Sequence, residues 1–356
     1  MKYSFKIGSA WDIPIELHIT FILLMVVVFF LSLPSLYLFL LVLFLFVFVT
    51  VHELAHSVVA RHYNIKVRKI VLYPIGGVSE IEEIPENPSI EWRMAAAGPL
   101  TSFAIGAILF LLYLVFPVQA PTTSLTSSLQ TAGSLVLDLA ILNVVLGAFN
   151  LIPAFPMDGG RVFRALLAER MKFTDATKWA AFIGRIFGIL MVMVGVLFFD
   201  FWVIIIGVFI YIGASEEAES TIVSTALARV RVKDVMQAEV STVKTETTLA
   251  EAMETMFKAR YHDALVEKDG ALSGTVCWDD IQKVKPEQRK EMRIENLPIK
   301  SFSISQDESV LEAYKIMSRE KMHLLPVVDR EAPTKVVGVL TSESIAYAQE
   351  KAKSLR

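Results

Sequence analysis

Long apolar runs dominate the first two hundred positions of the chain, and the polar breaks between them are short. Residues 37–51, YLFLLVLFLFVFVTV, hold no charged side chain, and such a run extended to Ala60 is long enough to cross a bilayer as a helix. The same pattern predicts six spans, at residues 19–33, 36–60, 94–116, 135–152, 179–199 and 201–212. Ahead of them, Lys2, Phe5, Ile7 and Trp11 alternate well enough to predict one or two short strands at the membrane surface within residues 1–17. Between the second and third spans, residues 65–84, IKVRKIVLYPIGGVSEIEEI, combine a β-branched run with Gly76 and Gly77. That stretch reads equally as a hairpin or as a plain surface loop. After Ile212 the composition changes abruptly: Glu216, Glu217 and Glu219 begin a polar segment, 216–228, that reads as a linker.

Composition agrees with a membrane protein. A hydrophobic content of 54% and a mean hydropathy of +0.52 over 356 residues do not suit an ordinary soluble chain. A net charge of −3 gives no sign of a nucleic-acid partner. The single cysteine, Cys277, excludes an intramolecular disulfide and suits a reducing compartment. A cleavable signal peptide is not expected, because Asp12, Pro14, Glu16 and His18 precede the first apolar run.

Basic residues orient the spans. The connections at 32–35, 117–134 and the turn at Asp200 contain no Lys or Arg, whereas Lys2, Lys6, Arg61, Lys66, Arg68, Lys69, Arg161, Arg164, Arg170, Lys172 and Lys178 gather on the other side. The expectation is a multi-pass protein of the cell membrane with both termini in the cytoplasm.

Chemistry enters at the end of the second span, as His52, Glu53, Leu54, Ala55 and His56. Residues four apart stack on one helix face, so His52 and His56 can offer two imidazole nitrogens to one metal ion, and Glu53 sits one position round, where a carboxylate can act on water without being a ligand. Three ionisable groups in five positions of an apolar helix are expensive in lipid, which makes two merely structural histidines a poor explanation. Helix rise places the pair about 7 to 14 Å inside the cytoplasmic end of the span. The best third ligand is Asp158, in NLIPAFPMDGGR at 150–161, where Pro153 and Pro156 end a helix and Gly159 and Gly160 allow a tight turn. Taken without the histidine motif, MDGG reads as a helix start with Asp158 as its N-cap.

With HELAH at 52–56 and NLIPAFPMDGG at 150–160, supported by PIGG at 74–77 and AAAGPLTSF at 95–103, residues 1–215 resemble the site-2 protease family of intramembrane zinc metalloproteases. The resemblance implies one zinc per chain held by His52, His56 and Asp158, with Glu53 as catalytic base and Asn150 as a substrate-orienting or oxyanion-stabilising side chain. It also implies a membrane-associated sheet, which favours the hairpin at 65–84. Some members carry an Asn after the GPL element. Here Thr101 and Ser102 stand in its place, and no role is assigned to them.

The remainder holds an internal repeat offset by 61 to 64 residues: Val232 matches Ile294, Leu249 matches Val310, His262 matches His323, and Gly274 matches Gly338. Each unit reads strand, helix, strand, strand, helix. This resembles a tandem pair of cystathionine-β-synthase-type (CBS) domains, at 229–287 and 288–356, which implies an adenine nucleotide as ligand and a possible homodimer. The ribose-contacting pattern of that family is incomplete in both copies. Asp280 keeps the acid in the first and Thr341 keeps the hydroxyl in the second, so these two are the candidate nucleotide residues. His262, His323 and Cys277 read as structural.

The expected fold is therefore a polytopic α-helical membrane protein, with six transmembrane helices and a small membrane-associated β-sheet, followed by a soluble α/β CBS-domain pair. The expected partners are a transmembrane protein substrate and membrane lipid. The alternative is a CBS-regulated membrane transporter or ion channel whose His and Asp residues form a transported-ion site, and a catalytically silent scaffold is a third reading. Glu53 argues against transport, since an ion pathway has no use for a base at that position.

Overall fold

The computed structural model describes residues 4–33, 35–81, 87–115, 124–238, 241–330 and 335–354. The end of the expected hairpin at 82–84 and the part of the third connection at 117–123 lie outside the described residues. The chain divides into two compact units, 1–219 and 220–356.

In the first unit, strands β1 (Ser4–Ala10) and β2 (Ile13–His18) lead into helices α1 (Ile19–Leu31) and α2 (Tyr37–His62). Strands β3 (Val67–Tyr73) and β4 (Gly76–Ile81) follow, and then α3 (Pro88–Val115), α4 (Ser124–Asn150), α5 (Asp158–Ala168), α6 (Phe173–Leu197) and α7 (Phe201–Ala228). The two stretches with β character do not stay separate. β2 pairs parallel with β3, Glu16 opposite Val71, which joins two antiparallel hairpins into one four-stranded sheet in the order β1-β2-β3-β4. One face is apolar: Ile13, Ile70 and Leu72 are buried with Phe21 of α1, and Phe46 and Leu54 of α2 pack against them. The ammonium of Lys69 lies 2.8 Å from Glu16 and 3.8 Å from Glu80, crossing three strands. It holds the Glu16 carboxyl below the usual carboxylate range.

Among the described residues four helices, α2, α3, α6 and α7, are long and apolar enough to cross a membrane, while α1 and residues 135–150 of α4 form shorter apolar helices. Large apolar side chains such as Leu111, Met193 and Phe209 stand exposed along them. A water-soluble surface would not tolerate that, and lipid does. Contact between spans is made by small residues, as where Gly188 of α6 lies against the Gly207 carbonyl and the Tyr211 backbone of α7. The polar stretch after Ile212, expected as a linker, is helical. Residues 215–228, SEEAESTIVSTALA, are the last turns of α7, because they contain several good helix formers and neither Gly nor Pro. Glu217 there meets Arg161 of α5 at 3.2 Å.

In the second unit both repeats run strand, helix, strand, strand, helix: β5 (Thr242–Lys244), α8 (Leu249–Ala259), β6 (Asp263–Lys268), β7 (Ala271–Cys277) and α9 (Trp278–Gln282), then β8 (Ile304–Ser305), α10 (Val310–Glu320), β9 (Leu324–Val328), β10 (Val336–Thr341) and α11 (Ser342–Ser354). Thr248 and Ser309 accept bonds from Glu251 N and Glu312 N and start the two equivalent helices. The segments leading into the repeats are exchanged. Gln237 pairs with Val339 of the second repeat, Lys300 pairs with Thr275 of the first, and Val232 and Ile294 are buried in the opposite repeat's core.

Asp263 ties the repeats together. Its carboxylate accepts from the backbone N–H groups of Trp278 at 3.3 Å, His323 at 2.5 Å and Leu324 at 3.2 Å. Burial outweighs these donors and holds the carboxyl above the usual range. Its share of stability is therefore full below the unfolded value of about 3.9 and declines as pH rises through the folded one. Asp263→Ala, which orphans buried N–H groups, is expected to destabilise the repeat pair by about 3 kcal/mol. Asp263→Asn should lose less and unfold with a flatter pH dependence. Thermal unfolding of the purified full-length protein at several pH values measures both.

Candidate metal centre

The second half of α2 presents His52 and His56 inward, at 3% and 7% exposure. Asp158 reaches them from the far side of a chain reversal. Pro153 and Pro156 stop α4 from continuing, Ala154 and Phe155 are fully buried, and Asp158 opens α5. The reversal needs its two glycines. A Cβ on Gly159 would lie 2.3 Å from the Ile152 carbonyl oxygen, and one on Gly160 would lie 2.5 Å from the Phe155 nitrogen, so α5 folds back onto the loop only without side chains there.

Three donor atoms converge. His52 Nε2 and His56 Nε2 are 3.2 Å apart, and Asp158 Oδ2 lies 3.2 Å from the first and 3.1 Å from the second. The other ring nitrogens are held: His56 Nδ1 donates to the Met94 carbonyl at 2.7 Å, and His52 Nδ1 meets Ser102 Oγ at 2.9 Å. A carbonyl can only accept, so the proton of neutral His56 sits on Nδ1 and its Nε2 lone pair points into the triangle. A tetrahedral zinc with ligands about 2.0 Å away separates them by about 3.3 Å, close to all three edges seen here. Gly98 supplies the room. A Cβ there would lie 2.2 Å from His56 Nε2 and 2.6 Å from His52 Nε2, in the space the lone pairs face. Among the described residues, this is the group of His, Cys, Asp and Glu side chains able to hold a metal ion.

Glu53 stands beside the triangle without joining it. Its Oε2 accepts from Ser79 Oγ at 2.7 Å, and its Cγ would be 2.5 Å from a Cβ on Gly77, so β4 lies directly against this carboxylate. The Asn150 amide donates to the Leu146 carbonyl at 3.0 Å, within its own helix. Of the nucleotide candidates, Asp280 binds Lys283 Nζ at 2.5 Å, and the buried Thr341 hydroxyl accepts from Ser344 N at 3.1 Å as a helix cap. The His262 and His323 rings lie 5.4 Å apart. Burial pushes the Cys277 thiol up to about 11, which leaves it unreactive. Sequence reasoning missed Ser102 and Ser79, since a lone hydroxyl carries no spacing signal of its own.

The peptidase family M50 model matches residues 40–194, and the CBS domain model matches 232–287 and 294–351. A zinc metalloprotease of Methanocaldococcus jannaschii is 36% identical over 320 residues, covering 89% of each chain. The chain belongs to peptidase family M50. A solved structure, the site-2 protease from Methanocaldococcus jannaschii, is 42% identical and covers 61% of this chain and 95% of that one, with a TM-score of 0.46. With its family membership and its long apolar helices, the protein is a membrane zinc metalloprotease carrying a CBS-domain pair. Gly98→Ala, which places a methyl group against both imidazoles, is expected to cut zinc content per chain at least several-fold with helix content unchanged, as read by metal analysis and circular dichroism.

Proposed function

We propose that the protein hydrolyses a peptide bond within or near a transmembrane segment of a membrane-protein substrate, using one zinc ion held by His52, His56 and Asp158. The observation that carries this reading is the triangle of Nε2, Nε2 and Oδ2 atoms with edges of 3.1 to 3.2 Å beside the Glu53 carboxylate. Zinc, when bound, supplies the Lewis acidity that peptide hydrolysis needs at neutral pH. Glu53 takes the proton of the attacking water and returns it to the leaving amine. Ser79 keeps that carboxylate oriented. Asn150, released from the Leu146 carbonyl, holds the substrate carbonyl.

A transmembrane helix hides its carbonyls in its own hydrogen bonds, so the substrate must unwind locally before attack. β4 is an edge strand of the sheet and lies against Glu53, so its open side suits an unwound segment paired by strand addition. The six-span arrangement, with α1, α2, α3, α4, α6 and α7 crossing and both termini cytoplasmic, rests on the absence of Lys and Arg from three alternate connections. The CBS pair is proposed to bind an adenine nucleotide through Asp280 and Thr341, to regulate cleavage and to pair two chains. The transporter reading falls with membership of a zinc metalloprotease family.

Two experiments test these assignments. Co-expression with single-span substrates, with the cut mapped by mass spectrometry, should show Glu53→Gln retaining zinc while cleavage falls by about 10²-fold or more. His52→Ala and Asp158→Ala should lose the metal as well. Normal cleavage by Glu53→Gln would remove the base from this mechanism. For the topology, a cysteine replacing exposed Phe199 should be labelled from outside intact cells, and one replacing exposed Lys172 only after permeabilisation. The reverse pattern inverts the orientation.

A further inference from the structure

None of the three proposed ligands is on α3, yet one face of this helix touches the support of each. Glu91, Met94, Gly98 and Ser102 are spaced by three, four and four residues, which aligns them along a single stripe. All four are buried, Glu91 at 1%, Met94 at 3% and Ser102 at 0% exposure. Ser102 Oγ lies 2.9 Å from His52 Nδ1, the Met94 carbonyl accepts from His56 Nδ1 at 2.7 Å, and Gly98 leaves the space that both Nε2 atoms face.

The third ligand is reached indirectly. Glu91 Oε1 accepts from Arg164 Nε at 2.7 Å and also from its Nη2, and Arg164 lies on α5, six residues beyond Asp158. The guanidinium is packed between two rings, 4.9 Å from Phe155 and 4.8 Å from Phe173. Phe155 belongs to the reversal that delivers Asp158, and Phe173 begins the next helix. Sliding or rotating α5 would break two charge-assisted bonds to one carboxylate oxygen and two ring contacts together.

A buried ion pair at this depth is a poor way to gain stability, since apolar residues of similar volume generally do as well or better. What a two-pronged pair supplies is register. We infer that Glu91 and Ser102 are positioning residues of the zinc site: Ser102 sets the ring of His52, and Glu91, through Arg164, sets the place of α5 and so of Asp158. The α3 stripe is the template on which the His pair of α2 and the Asp of α5 are brought to one point. This rests on the zinc assignment made under Proposed function.

The test uses full-length protein purified in detergent, with zinc affinity measured by chelator competition and ligand geometry read from the visible absorption of the cobalt-substituted protein. Ser102→Ala should weaken zinc about 10- to 100-fold and shift the cobalt bands, while Ser102→Thr, which restores a hydroxyl, should recover most of both. Glu91→Ala alone removes the carboxylate oxygen that Arg164 Nε and Nη2 both donate to and risks misfolding. The informative variant is therefore Glu91→Leu combined with Arg164→Met, which removes both charges and keeps volume. It should fold with unchanged helix content yet lose zinc affinity by a similar factor, with altered cobalt bands. If Ser102→Ala and the double variant both keep the parent's affinity and spectrum, the α3 stripe is only packing and the inference is overturned. A distinct failure, unaltered protein taking up no zinc that His52→Ala abolishes, would overturn the metal assignment itself.

Discussion

The organising constraint is the cost of bringing lone pairs and charge together inside an apolar bundle. Two imidazole nitrogens and a carboxylate oxygen within 3.2 Å of one another are a costly arrangement in water and a much costlier one in lipid. Such a cluster persists when a cation can sit among its members and when the surrounding atoms leave them no other direction to turn. Much of the first unit can be read as meeting those two conditions. The Met94 carbonyl and Ser102 hold the far nitrogens, Gly98 clears the centre, and the reversal through Pro153, Pro156, Gly159 and Gly160 delivers the acid.

The same constraint accounts for the sheet. A carboxylate next to the triangle has to be kept apart from it, and Ser79 and Gly77 on β4 do this, one by donating a hydrogen bond and the other by having no side chain. The strand that restrains Glu53 is also an open edge of the sheet. One short strand thus has two duties of different kinds, and the Gly76–Gly77 pair serves both. Gly76 takes a φ of +141°, which side chains rarely adopt, and Gly77 admits the Glu53 side chain.

The second unit obeys a different logic. Its core is ordinary, with Leu249, Met256, Val266 and Ile281 in one repeat and Val310, Met317, Val327 and Ile345 in the other. What joins the repeats is an exchange of lead-in segments together with one buried carboxylate, Asp263, whose bonds run to the backbone of both. Neither repeat is complete without residues that precede the other in the chain.

Local pattern made a large part of this molecule legible. A long apolar run with no charge has few fates, and two histidines four apart on a helix share a face whatever surrounds them, so most of the helices, the repeat and the histidine pair follow from spacing alone, whereas Asp158 was singled out by its loop and by family resemblance. The structure was needed wherever a contact joins positions far apart in sequence with no periodicity between them. The parallel pairing of β2 with β3 turned two separate hairpins into one sheet, and the helical continuation after Ile212 brought Glu217 to Arg161. Asn150 was found bonded to its own helix although its motif points to the centre, and Ser102, Ser79 and the Glu91–Arg164 pair emerged as the supports. A hydroxyl or a single carboxylate has no signature of its own in one dimension. Its meaning comes from what faces it, and that is decided when α3 packs between α2 and α5.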